Sequence, residues 1–455
     1  MEGRNGKMEE SRMGESRMGE KARTWTLENG MRLIHIDSPT NVAYCGISID
    51  AGTRDEEVGE EGMAHFCEHM MFKGTERRKA WHIINRMEAV GGDLNAYTNK
   101  EETVVYAAFM KEHFDRAAEL IFDIVFHSTF PQHEMDKESE VIVDEIESYN
   151  DSPAELIFDR FEDIIYEGNS LGHDILGTAE NVRRFRTEDA LRFTRRLYKP
   201  DKMVFFLFGD VAFERAKKVV ERLAKGMGGT DNWDAPDAPD APDNPEILDN
   251  PETPDNPGKP DNLDNLDNLD NPAHSYHTEM RGTHQAHVML GRAAYGAKDD
   301  RRIALYFLNN ILGGPGMNSR LNVALREHKG LVYTVESTLT NYTDTSTWAI
   351  YFGCDAEDVE KCLRLVRLEL DKLMNEPLSE RQFQAALKQI KGQIGVACDN
   401  FENYALDMAK SFLHYNKFEG MEDTFRQLQQ LTPKRLQEVA QEIFDEKNLT
   451  TLIFR

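Results

Sequence analysis

The sequence predicts an α+β protein of two equivalent domains, each a mainly antiparallel sheet packed by helices. Three observations carry this. Short period-two segments alternate with longer stretches of helical period along both halves of the 455 residues. Residues 231–275 change abruptly to Asp-Ala-Pro, Asp-Asn-Pro and Asp-Asn-Leu repeats. After that stretch the order of elements begins again. The expected layout is a disordered tail over 1–23, a first domain over 24–230, an acidic disordered linker over 231–275 and a second domain over 276–455.

The tail is charged and polar and repeats Glu-Ser-Arg-Met-Gly-Glu; it has no apolar h-region, and its glutamates argue against a mitochondrial presequence. Thr24–Leu27 and Met31–Asp37 alternate around Glu28-Asn29-Gly30, which predicts a hairpin. Asn41–Ala51 reads as a strand. Helices follow over Gly62–Phe72 and Ala80–Val90, the second closed by Gly91-Gly92. The Asn, Thr and Tyr content of Asp93–Tyr106 suits an edge strand turning into a central one. Helices are expected at His113–Phe126, Gln132–Asn150 and Pro153–Tyr166, then a loop at Gly172–Glu180, an apolar strand at Met203–Gly209 and a helix at Phe213–Met227.

Between Asp231 and Pro272 stand thirteen acidic residues against one lysine, with nine of the sixteen prolines. Such a segment buries too little apolar surface to offset its ordering entropy. It lacks the Gly-rich pattern of calcium-binding β-rolls. Beyond it, His287–Gly296 reads as a strand resembling Asn41–Ala51, and Arg301–Leu312 as a helix broken by Gly313-Gly314-Pro315-Gly316. Ser319–His328 is helical, and Leu331–Leu339 and Thr347–Cys354 are strands. Helical stretches at Ala356–Asn375, Ser379–Tyr415 and Thr432–Phe444 precede a last strand at Leu449–Phe454.

The formal charge of −27 argues against nucleic acid or an anionic membrane as partner. No run of 18 apolar residues occurs, so no membrane-spanning helix is expected. Five scattered cysteines without paired spacing fit a reduced, cytoplasmic setting.

The stretch with chemistry in it is Gly62-Met63-Ala64-His65-Phe66-Cys67-Glu68-His69. On a helix His65 and His69 lie one turn apart on one face, the placement two imidazoles need to share a zinc ion. Glu68 lies beside that face, within reach of a metal-bound water. A core helix with histidines in polar contacts is the plain alternative. Zinc needs a third ligand. Downstream, Glu138 and Glu145 are two turns apart on one face of a helix whose apolar stripe is Val141, Ile142 and Ile146.

His-x-x-Glu-His followed 76 residues later by Glu145 resembles the pitrilysin-type (M16) zinc metallopeptidases, among them insulin-degrading enzyme and the mitochondrial processing peptidase. The resemblance implies their duplicated metallohydrolase fold and one zinc ion per chain held by His65, His69 and Glu145. It gives Glu68 as general base and Glu138 as an outer carboxylate supporting the site. It matches Asn95 and Ala96 to the strand that pairs with the substrate backbone, and Arg326 and Tyr333, seven apart, to residues that reach the substrate from the second domain. The second domain has no such motif: its matching helix reads ALYFLNNILGG. The implied activity is a zinc-dependent endopeptidase for unfolded peptides, working as a homodimer or with a paralogous subunit. Two other classes stay open: a non-catalytic subunit or scaffold on the same fold, and a binding protein that works through its acidic linker.

Overall fold

The structure, a computed structural model, describes residues 22–226 and 275–455. The expected tail and linker thus fall outside the described residues except at their inner ends. Arg23 and Ser275 each open a strand, which moves both boundaries.

The first half runs β1 Arg23–Thr26, β2 Arg32–Ile36, β3 Val42–Ile49, α1 Met63–Met71, α2 Ala80–Glu88, β4 Asp93–Thr98 and β5 Thr103–Met110. It continues with α3 Phe114–Phe126, α4 Gln132–Asn150, α5 Pro153–Ile165, α6 Ala179–Arg184, α7 Thr187–Leu197, β6 Met203–Phe208 and α8 Phe213–Lys225. Its sheet order is β1-β2-β6-β3-β5-β4, antiparallel except between β2 and β6. The expected hairpin joins β1 to β2, with Gly30 at φ +92° in its turn. β6 (MVFFLF) is buried at every residue because it is central and covered on both faces. The Asp93–Tyr106 stretch is, as expected, an edge strand, β4, that turns into an inner one, β5, the two forming a hairpin. The Asn99 side chain folds its turn, accepting from the backbone N–H groups of Glu101 and Glu102 at 2.9 Å each.

The second half runs β7 Ser275–Glu279, β8 Ala286–Tyr295, α9 Arg302–Gly313, a π-helical turn at Asn322–Glu327, β9 Val332–Asn341 and β10 Thr345–Cys354. Then come α10 Val359–Asn375, α11 Glu380–Ala397, α12 Phe401–Tyr415, α13 Met421–Gln429, α14 Pro433–Ile443 and β11 Thr450–Phe454. The sheet order is β7-β11-β8-β10-β9, with β7 parallel to β11. Strand for strand this repeats β2-β6-β3-β5-β4. The expected helical stretch over Ser379–Tyr415 consists of two helices, because Asn400 leaves the helical path and caps α12, accepting from Asn403 N at 3.2 Å.

Each half has its own core between one sheet face and its helices. The other faces are covered by exchange. α12 lays Ala405, Met408 and Phe412 on Ile34, Phe206 and Phe208 of the first sheet. α5 lays Ile157 and Phe161 against Met289, Leu452 and Phe454 of the second. A fully buried side chain of this size contributes roughly 1.5–3 kcal/mol, so apolar layers hold the halves together independently of residues 231–275. Among the described residues no helix is long and apolar enough to cross a membrane.

Candidate metal centre

α1 begins at Gly62, whose φ of +95° turns the chain sharply into the helix. A side chain there would collide with Leu176 O, 2.7 Å from an added Cβ, so only glycine fits against the 172–180 loop. Seven of the nine residues of α1 are buried, which fixes the helix on all sides. His65 is 8 % exposed. α4 packs on α1 through Met135, Ile142 and Val143, which are buried. Val141, expected in that stripe, is instead 51 % exposed: one residue from Ile142 turns a side chain by about 100° around a helix. The buried side is Met135, Ser139, Ile142 and Val143, with the expected Ile146 partly buried against the same core, and it leaves Glu145 beside the end of α1 that carries His69.

There His65, His69 and Glu145 each present one ligand atom, all within 4.8 Å of one another. His69 Nε2 and Glu145 Oε2 are 3.7 Å apart, inside the roughly 4.2 Å that two zinc bonds span. His69 Nδ1 donates to Glu138 Oε1 at 3.0 Å, which directs Nε2 to the Glu145 side. Glu138 Oε2 also meets Lys73 Nζ at 2.6 Å.

Burial and the neighbouring His69 push His65 down to about 3, so its imidazole is neutral and able to ligate. Burial opposes charge on His69, but the hydrogen bond to Glu138 and the carboxylates of Glu145 and Glu68 outweigh it and raise its pKa. Burial raises Glu68, with a hydrogen bond from Thr98 acting the other way. Burial would raise Glu138 too, yet His69 and Lys73 hold it below the ordinary glutamate value. Glu68 Oε2 and His65 Nδ1 are buried without a hydrogen-bond partner. Two imidazoles, a carboxylate half open to solvent and a second, underused carboxylate beside them form a donor set that fits a zinc ion.

Asn95 and Ala96 sit on β4, whose outer side is, among the described residues, the free edge of the first sheet. α1 packs against this strand. Arg326 lies on the π-helical turn and lines a cavity of about 950 Å³ together with Asn309, Glu336, Gln393 and Asp407. Tyr333 is 82 % exposed on β9, the free edge of the second sheet. Neither side chain hydrogen-bonds to the His65, His69 and Glu145 group. The second half carries an amide at the helix position that matches the candidate ligand Glu145. Glu145 is thirteen residues into α4, and Gln393 is thirteen into α11, where its Oε1 accepts from Asn310 Nδ2 of α9 at 2.8 Å.

The residues 32–179 match the family model described as Insulinase (Peptidase family M16), and 184–390 match Peptidase M16 inactive domain. The chain belongs to peptidase family M16. All of His65, Glu68, His69, Glu138 and Glu145 lie in the first match, and Arg326 and Tyr333 in the second. The M16 chain is 29 % identical to an uncharacterized zinc protease, YmxG, of Bacillus subtilis, over 95 % of this chain and 98 % of that one. It is 28 % identical to the mitochondrial-processing peptidase subunit beta of Bos taurus, over 87 % of this chain and 76 % of the other. In fold it resembles a protease from Helicobacter pylori with a TM-score of 0.81 at 22 % identity, covering 96 % and 99 % of the two chains. A peptidase M16 inactive domain from Pseudomonas fluorescens superposes with a TM-score of 0.79 at 18 % identity, over 95 % and 97 %.

Sequence reading missed four side chains around this M16 centre. Lys73 follows His69 by one helical turn and was legible in principle. Thr98, Glu56 and Arg54 arrive from strand and loop, with no periodic signal. Glu56 is buried before α1, where its carboxylate accepts from Gly62 N at 3.1 Å and Ala64 N at 2.9 Å. Burial pushes it up to about 8 against the pull of those two amides.

Proposed function

We propose that this chain is a zinc-dependent endopeptidase acting on unfolded peptides, with one zinc ion on His65, His69 and Glu145 and with Glu68 as general base. The observation that carries the reading is the meeting of those three ligand groups from two distant helices, with Glu68 one residue from His69. The names of the relatives support the metal and the reaction class. Zinc, when bound, polarises a peptide carbonyl and acidifies a water.

The chain's own groups do the rest. Glu68, made more basic by burial, takes the proton of the attacking water and returns it to the departing amine. Glu138 fixes the ring of His69. The free edge of β4 at Asn95 and Ala96 takes the extended substrate backbone as an added strand. Arg326 and Tyr333 act on the substrate from the second half, Arg326 anchoring a carbonyl and Tyr333 donating to the oxyanion. Two chains, or this chain and a paralogue, pair to enclose the peptide. A cytoplasmic setting fits five scattered cysteines that lack paired spacing.

The test is Glu68→Gln. The variant should bind zinc as the parent does and lose cleavage of an unfolded peptide library by about 10²–10⁴-fold. Cleavage by the variant at the parent rate, or chelator-insensitive cleavage by the parent, contradicts the reading.

A further inference from the structure

The loop between β3 and α1 touches three things at once. Its backbone is bonded to the β4–β5 turn, Thr53 N to Asn99 O at 3.2 Å and Arg54 N to Lys100 O at 2.8 Å. Gly52 lies so close to that turn that an added Cβ would stand 2.5 Å from Lys100 backbone atoms. The Arg54 guanidinium then reaches across to the second half. Nη1 donates to Asp344 Oδ1 at 2.9 Å, Nη2 pairs with Asp344 Oδ2, and Nη1 also donates to Glu101 Oε1 at 2.7 Å. Glu101 in turn accepts from Thr343 N at 2.9 Å and Thr343 Oγ1 at 2.6 Å. Two residues beyond Arg54, Glu56 grips the first amides of α1. Arg196 of α7 braces the same loop, donating to Asp55 O at 3.1 Å and pairing with Glu60.

We propose that this loop is a strut through which the second half positions the metal-bearing helix, with Asp344 its anchor and Arg54 and Glu56 its positioning residues. The inference rests on the reading of His65, Glu68 and His69 as the working site. The physical reason is the stiffness of the connection. A bidentate Arg–carboxylate pair fixes both distance and orientation. A 3₁₀ turn at Thr53–Asp55 carries that orientation two residues on. A buried carboxylate on two helix amides then sets where α1 begins, and a small displacement there moves both imidazoles and Glu68 together. No group of the second half need touch the metal for that half to be required.

The experiment uses the full chain and the variants Asp344→Ala, Glu56→Ala, Glu56→Gln and the double Asp344→Ala/Glu56→Ala. Asp344 is 32 % exposed, so its truncation leaves the cores intact. Two quantities are read: the rate of zinc loss to excess chelator, and kcat and KM on an unfolded peptide. Asp344→Ala and Glu56→Ala should each speed zinc loss and lower kcat by about 3- to 30-fold, with KM within about twofold. Glu56→Gln, which keeps one acceptor, should recover most of the loss. The double variant should be no worse than the worse single, because one strut is already broken. Unchanged zinc loss and kcat in Asp344→Ala, or single effects that multiply in the double, overturn the proposal. A parent that binds zinc and cleaves nothing sinks the peptidase reading while the rates of zinc loss still decide the strut. A parent that binds no zinc overturns both.

Discussion

Glu138 earns its place by what it touches: it accepts from His69 Nδ1 and pairs with Lys73, both within 3.0 Å. Removing it frees the His69 ring to rotate and to change tautomer. Glu138→Ala should weaken zinc binding by about 10- to 100-fold without unfolding the chain; an affinity equal to the parent's in a chelator competition contradicts that role. At this scale the sequence was partly readable. His65 and His69 announce themselves because helical spacing puts them on one face, with Glu68 beside it. Glu145 does not, since nothing local separates it from Glu140 or Glu147, and only the resemblance singled it out. Glu56 and Arg54 were hidden for a different reason. Their partners are backbone amides and a carboxylate 290 positions away, and neither leaves a pattern in the chain.

The elements fall where their patterning puts them when the pattern reflects burial. β6 and β10 are apolar because both faces are covered, and each was found. β7 was not. Its SYHTE sequence is that of a half-exposed edge strand, and the parallel ladder to β11 that defines it needs a partner 175 residues away. α7 and α13 were also not read; α7 buries Ala190, Phe193 and Leu197, and α13 buries Met421 and Leu428. The β4–β5 turn offers a test at this scale. Glu102 is fully buried, 2.9 Å from His414 Nε2 and 3.4 Å from Lys410 Nζ of α12. Burial would raise its pKa, but the His414 hydrogen bond and the Lys410 charge outweigh it and hold the carboxyl below its ordinary value. A carboxylate depressed in the folded state adds stability above its unfolded pKa and loses it as the pH falls through the folded value. Urea unfolding of Glu102→Gln should therefore show a flatter acid limb than the parent below the ordinary glutamate range. Identical acid limbs would remove Glu102 from this role.

For the whole molecule, the duplication was legible in the order of elements, but the exchange of α5 and α12 was not. An amphipathic helix such as α12, with Ala405, Met408, Ala409 and Phe412 on one face, does not say which sheet it covers. The exchange makes each half incomplete alone. Phe161→Ala, on α5, should cost about 3–5 kcal/mol and loosen hydrogen-exchange protection in β8 and β11, where the second sheet loses its cover. It should do so within a single unfolding transition. Two separated transitions would mean that the halves are independent. The exchange also holds the second half against the one with the candidate ligands, the geometry that the strut at Asp344 needs. The proposed chemistry requires one ion bound by two segments far apart in the chain. The most direct measurement is a crystal of the zinc-loaded protein with anomalous data collected across the zinc edge. The expected result is a single peak about 2.0–2.2 Å from one atom each of His65, His69 and Glu145. A peak elsewhere, or one with the Glu145 carboxylate outside bonding distance, would contradict it.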